Sequence, residues 1–265
     1  MVPIAPTPDD GQVSISFRKF VDELPSAQMA LDIFKDRWAS SLPDSRGALV
    51  AGGAALFTDD LRPRQAGQIF GKGSGRLDGF TVIELGPLEG GHTYQLEGLG
   101  AEVIAIEGNA EAYLKCLIIK EIFDLKSRFL LGDFIRYLQA TDDQCDMLFA
   151  SGVLYHMVEP LKLIELICKA SARSFLWTHF YDAELCQGYQ SKSVKHAGFK
   201  AQHFRKGYGD QSHGKFWGGL ADSACWLQRE DIIGAFAAFG HGQHQVVETN
   251  LEHPHGPCFT VATWR

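Results

Sequence analysis

Phe80-Thr-Val-Ile-Glu84-Leu-Gly86-Pro87-Leu-Glu-Gly90-Gly91 reads as an apolar strand, a glycine turn and the start of a helix that runs from about His92 to Leu99. Glycine at such a turn lets the backbone approach a ligand closely, and the first turn of the helix offers amides with no partner of their own. A nucleotide-like ligand suits that edge of a sheet. Dinucleotide-binding turns have the spacing G-x-G-x-x-G, whereas here three residues separate Gly86 from Gly90 and an acid stands two before the first glycine. Glu84 would repel a pyrophosphate, so the expected ligand carries positive charge.

Downstream, strands and helices alternate. The strand AEVIAIE (101–107) precedes a helix over about 109–125. SRFLLG (127–132) precedes a short helix, CDMLFAS (145–151) a helix over about 159–172, and SFLWTHF (174–180) closes the run. Largely apolar strands between amphipathic helices specify a parallel sheet covered on both faces. Residues 181–227 interrupt the alternation with glycines, histidines and aromatics, including HGKFWGG, and read as a long irregular substrate loop. A helix over 229–239 follows, and then QHQVVETN (243–250) and CFTVATW (258–264), which the short turn EHPHGP can join only as antiparallel neighbours. The expected fold is α/β, a Rossmann-like doubly wound sheet that is mostly parallel with an antiparallel last strand.

Upstream, residues 1–12 predict a frayed terminus and Val13–Phe17 a short β run. Ser26 caps a helical pattern carrying Met29, Ile33, Phe34 and Trp38, and a second helix covers Arg62–Phe70. Residues 1–79 therefore read as an N-terminal extension, a helical cover over the nucleotide pocket or its substrate side. Residues 80–265 read as the main domain with its insertion at about 181–227.

A chain of 265 residues, 45% hydrophobic and 22% charged, supports one large folded domain. Its net charge of −7 disfavours nucleic acid as a partner, unless basic residues gather on one face. Lys192, Lys195, Lys200, Arg205, Lys206 and Lys215 come nearest to that, in a stretch that reads as a solvated loop. The six cysteines form no C-x-x-C pair and read as reduced, buried thiols. With no apolar run long enough to span a bilayer and no secretory pattern at the start, the expectation is a cytoplasmic chain without a membrane partner. The expected partner is a small-molecule acceptor, with self-association left open.

Glu107 ends the second strand, 23 residues after Glu84, where a carboxylate can accept from both hydroxyls of a ribose. Asp133, after the third strand, could hold an adenine amino group beside Phe134, or cap the helix that follows. The series ELGPLEGG, VIAIEGN, LLGDF and CDMLFASGVLYHM resembles the class I S-adenosylmethionine-dependent methyltransferases over about residues 80–180. That resemblance implies S-adenosylmethionine as cofactor, with the methionine part near Glu84, Gly86, Pro87, Gly90, Gly91 and His92. It implies the ribose at Glu107, Gly108 and Asn109 and the adenine at Gly132, Asp133 and Phe134, with Ser151, Gly152 and Val153 completing the pocket. The segment GVLYHM is also similar to enzymes that modify wobble uridine in tRNA. A tRNA-modifying enzyme and a non-catalytic carrier of the same cofactor are thus the competing readings.

Methyl transfer needs an aligned acceptor, excluded water and, for a hydroxyl or protonated amine, a base. Tyr155 and His156 past the fourth strand, and His179 and Asp182 at and past the end of the fifth, are the candidates. His92 could meet the cofactor carboxylate or cap its turn. His203, Tyr208, His213, Phe216 and Trp217 could wall the acceptor or cover the core. His253, His255 and Cys258, with His241 and His244, are close in sequence but lack a second pair of close ligands, so no metal is expected.

Overall fold

Period-two burial in the strands is what builds this molecule. The computed structural model describes residues 20–43, 49–71, 73–142, 144–208 and 220–265. Strands β1 (Thr81–Leu85), β2 (Glu102–Glu107), β3 (Arg128–Leu131), β4 (Met147–Ser151) and β5 (Arg173–His179) are parallel neighbours in the order 3-2-1-4-5. The ten strands among the described residues are numbered in chain order. β10 (Cys258–Trp264) lies antiparallel between β5 and β9 (Gln243–Asn250), which completes a seven-stranded sheet. The expected mostly parallel sheet with a reversed last strand is the one observed.

Alternate residues of each strand enter different cores. Ile83, Leu85, Leu148, Ala150 and Leu176 pack on α5 (Phe134–Ala140), α6 (Pro160–Ala170) and α7 (Arg229–Ala238). Val82, Met147, Phe149, Phe175 and Ala262 pack on the other face against α2 (Arg62–Phe70), α3 (Gly91–Gly98) and α4 (Ala110–Phe123). Continuing the alternation puts Glu84, Ser151, Trp177, His179 and Cys258 on this second face, at or near the carboxyl ends of β1, β4 and β5 and the start of β10.

Two expectations change. Ser26 does cap α1, its side chain accepting from Met29 N, but the helix covers only Ala27–Leu31 and passes into a 3₁₀ turn over Asp32–Phe34. Asp36, in the left-handed region at φ 63°, then turns the chain away. Residues 190–226 are not irregular throughout: β6 (Gln190–His196), β7 (Phe199–Gly207) and β8 (Ser223–Trp226) form an antiparallel three-stranded sheet. β6 is almost wholly exposed, so it carries no apolar alternation that a sequence pattern could reveal. The run Val13–Phe17 lies outside the described residues.

The turn at Asp36 delivers a strap to the glycine turn. Glu89 of that turn accepts from Ala39 N at 3.0 Å and Ser40 N at 2.8 Å, and its Oε1 lies 3.0 Å from Lys115 Nζ. Lys115, fully buried in α4, also donates to the Arg37 carbonyl and lies 3.3 Å from Glu111. An ion pair this deep holds only while both partners are present. Lys115→Met should therefore lower stability by about 3–5 kcal/mol, read as a reduced urea midpoint, and adding Glu89→Gln should recover part of the loss.

Candidate active site

Gly86 continues from β1 with its amide donating to Ile106 O at 2.9 Å and φ at +66°, a region that favours glycine. A Cβ there would lie 2.8 Å from Val153 Cγ1 of the turn after β4, so Gly86 and Val153 leave no room for a side chain between them. Gly90, at φ +80°, leads into α3 with Gly91 as the first helical residue. The turn is also tied to β2: Leu88 N donates to Glu107 Oε2 at 3.0 Å and Asn109 N to Oε1 at 2.8 Å. Asn109 caps α4 through Glu111 N and Ala112 N. Each Glu107 oxygen keeps accepting capacity beyond these bonds.

Glu84 is buried, its Oε2 accepting from Thr93 while Oε1 has no hydrogen-bond partner. Burial pushes its carboxyl up to about 8, against the Thr93 bond and assisted by the nearby Glu107 charge. A buried carboxyl with one oxygen unsatisfied among the described residues is a candidate ligand contact. His92 bonds Asp60 through Nε2 at 2.8 Å, and its Nδ1 stands 3.9 Å from Glu84 Oε1, beyond hydrogen-bond reach. Burial raises the Asp60 carboxyl, but His92 and the Arg62 guanidinium outweigh it and hold the group well below the usual carboxylate range. Arg62 in turn donates to Ser151 Oγ at 2.7 Å and stacks over Trp177 at 4.8 Å. Asp60 and Arg62 escaped the sequence reading because they precede the recognisable strands.

Asp133 caps α5, its Oδ1 accepting from Ile135 N at 2.7 Å and Arg136 N at 3.4 Å. Gly132 N donates to Glu107 O at 2.8 Å, and Gly152 N to Trp177 O at 3.0 Å. Pro87 is buried, and Gly108 and Phe134 are half-buried beside their capped helices.

On the other side of Gly86, aromatic rings gather. The Tyr155 ring lies 4.7 Å from His179, 5.9 Å from Trp177 and 6.4 Å from Trp226, and His179 stacks on Trp226 at 5.3 Å. The small sheet supplies this wall by alternation: Phe204 and Trp226 pair across β7 and β8, and Lys206 lies 4.3 Å over Trp226. His203, on the opposite face of β7, is buried away from it with Lys192 and Arg205 along a groove beside α6. His213, Lys215, Phe216 and Trp217 lie outside the described residues.

Hydrogen bonds fix both histidine tautomers. The Tyr208 hydroxyl donates to Tyr155 O at 3.2 Å, so it accepts from His156 Nδ1 at 3.1 Å and leaves Nε2 bare. His179 Nδ1 donates to Gly256 O at 2.9 Å, which likewise bares its Nε2. Burial lowers both imidazoles to about 4, His179 further lowering His156. Both are therefore neutral proton acceptors at pH 7. Burial raises the Tyr155 hydroxyl to about 12, so it stays protonated. Asp182 accepts through Oδ1 from Glu184 N at 2.9 Å and Leu185 N at 3.1 Å in its own turn.

Solved structures match this fold along most of the chain. The N-terminal domain of EvdMO1, solved in the presence of S-adenosylhomocysteine and D-fucose, superposes with a TM-score of 0.67 at 21% identity, over 90% of this chain and 94% of that one. The S-adenosylmethionine-dependent methyltransferase of Clostridium acetobutylicum ATCC 824 gives 0.51 at 12% identity over 79% and 94%. The fold is that of the class I methyltransferases. The magnesium protoporphyrin IX methyltransferase of Synechocystis PCC 6803, with bound S-adenosylhomocysteine, gives 0.50 at 14% identity over 76% and 83%. Full-length EvdMO1 is longer, and this chain spans 46% of it. No protein-family model and no curated protein matches the sequence.

Glu84 gives the site a pH signature. Its folded value, about 8, lies above the ordinary 4.5, so its protonated form stabilises the fold fully below about pH 4.5 and that contribution is lost as pH rises through 8. Glu84→Gln should flatten the decline of melting temperature between pH 5 and 8; an unchanged slope would place the titration elsewhere.

Proposed function

We propose that this chain transfers a methyl group from S-adenosylmethionine to a small or medium-sized acceptor, at oxygen or nitrogen. The observation that carries the reading is the buried Glu84 carboxyl, whose Oε1 has no partner among the described residues, two residues before Gly86, where a Cβ would meet Val153. A cation with little bulk fits there, as the ammonium of a methionine moiety is. Glu107, with accepting capacity left beyond two backbone amides, would hold the ribose, and Asp133 and Phe134 the adenine. Bound there, the cofactor supplies a methyl group already activated by its sulfonium.

The protein's own work is alignment, exclusion of water and proton removal. Tyr155, Trp177, Trp226 and Tyr208 form an aromatic wall against which an acceptor can be held, and the bare Nε2 of His156 can take its proton. EvdMO1's N-terminal domain was solved in the presence of D-fucose, and aromatic walls of this kind suit a hydroxyl-bearing acceptor of that size. Hydroxylated small molecules are therefore the first acceptors to try.

Native mass spectrometry of freshly purified protein should reveal co-purified S-adenosylmethionine or its demethylated product, and turnover with any acceptor removes the carrier alternative. Methylation confined to tRNA would replace this acceptor class by the RNA one. Glu107→Ala should weaken cofactor binding by about 1–3 kcal/mol in calorimetry; unchanged affinity removes it from the site. His156→Ala should depress turnover more than cofactor affinity, and equal losses in both would argue against a base.

A further inference from the structure

His253 and Cys258 are near neighbours in sequence, and the fold brings a third ligand to them. In the antiparallel pairing of β10 with β5, Cys258 stands directly opposite His179. The turn before β10 carries His253 over the same spot, its ring 4.9 Å from that of His179. One ligand atom from each of His179, His253 and Cys258 lies within 4.8 Å of the others. Tetrahedral zinc needs its nitrogen and sulfur ligands about 3.3–3.8 Å apart, so a modest side-chain adjustment closes the site. His253, the one member of the three that is not fully buried, can make it. Its Nδ1 accepts from His255 N at 3.2 Å.

The surroundings suit a metal independently of that cluster. Imidazole ligands characteristically donate their second ring N–H to a carbonyl or carboxylate, which fixes the ring and bares the ligating nitrogen. His179 does this with Nδ1 against Gly256 O at 2.9 Å and Pro257 O at 3.2 Å, both in the turn that carries the other two ligands. Burial and the Glu248 charge hold the Cys258 thiol above its ordinary value, against Arg62 and a hydrogen bond from Trp177, so a bound Zn²⁺ would displace its proton. Tyr155, Trp177 and Trp226 enclose the group on its open side.

We propose that His179, His253 and Cys258 form a three-ligand zinc site at the acceptor wall, its fourth position open to water or to an oxygen of the acceptor. Two neutral imidazoles and one thiolate match the ligand preference of Zn²⁺, and three protein ligands with an open position are the pattern of zinc sites that handle a substrate. Only the statement about the acceptor oxygen rests on the functional reading above; the metal site does not.

Protein freed of metal by a chelator should take up stoichiometric Zn²⁺ against a chromophoric competitor, and Co²⁺ in its place should show a thiolate-to-cobalt charge-transfer absorption. Cys258→Ser should abolish that absorption. His253→Ala, a change in a turn, should weaken Zn²⁺ by at least about tenfold with the melting temperature kept, while His255→Ala should leave Zn²⁺ affinity unchanged. Absence of stoichiometric uptake overturns the proposal, as does binding that survives both ligand variants or fails equally in His255→Ala. Calorimetry with S-adenosylmethionine on the same samples separates the two claims. Cofactor binding without zinc sinks the metal site alone, and zinc without cofactor binding sinks the functional reading alone.

Discussion

A glycine turn can face a ligand only if something other than side-chain packing holds its backbone, and here that anchor is the buried Lys115–Glu89 pair. Glycines are placed where a close approach needs them, yet each adds freedom that must be removed for the approach to be reproducible. Glu89 removes it from above, drawing in the amides of Ala39 and Ser40, and Lys115 from behind, through α4. Glu107 holds the same turn from the side through Leu88 N. The turn is thereby fixed by charged groups in a water-poor setting, where their mutual attraction is strong and the loss of any one is costly.

With that turn fixed, a division of labour among the acids follows. Glu89 is committed to its cation and two amides and belongs to the scaffold. Glu84 is left with an oxygen that no protein group satisfies, and Asp60 is ionised against Arg62 and His92 at the rim. Two of these carboxyl groups, Glu84 and Asp60, are thus driven in opposite directions by different neighbours. Such divergence within one crevice is the electrostatic pattern expected of a ligand site.

The parts legible in the sequence were those written in local patterns. The strands of the parallel sheet show as short apolar runs between helical periods, and the strand, Gly86 turn and helix are contiguous, so their spacing survives as text. Arg62–Phe70 was readable to the residue because its apolar positions repeat at helical spacing. What could not be read depends on partners far apart in the chain: Glu89 with Lys115, Asp60 with His92, His179 with Cys258. The sheet of β6–β8 was illegible for another reason, since β6 buries almost nothing and its lysines and serines look like loop. Asp182, at a strand end beside a histidine, reads as a catalytic candidate, and the bonds its Oδ1 makes within its own turn are not visible in the sequence.

The placement of β10 between β5 and β9 bears on how the molecule assembles. Until that strand arrives, β5 has an unsatisfied edge and must wait for a segment roughly eighty residues downstream, a closure of the long-range kind that slows folding. An open row of amides and carbonyls on an apolar strand invites pairing with another chain. The ring cluster around His179 is therefore the last wall to close, after the strand, turn and helix at Gly86, which are contiguous in the chain. Chaperone dependence and sensitivity to expression temperature are the expected traces of that order of events in the cell.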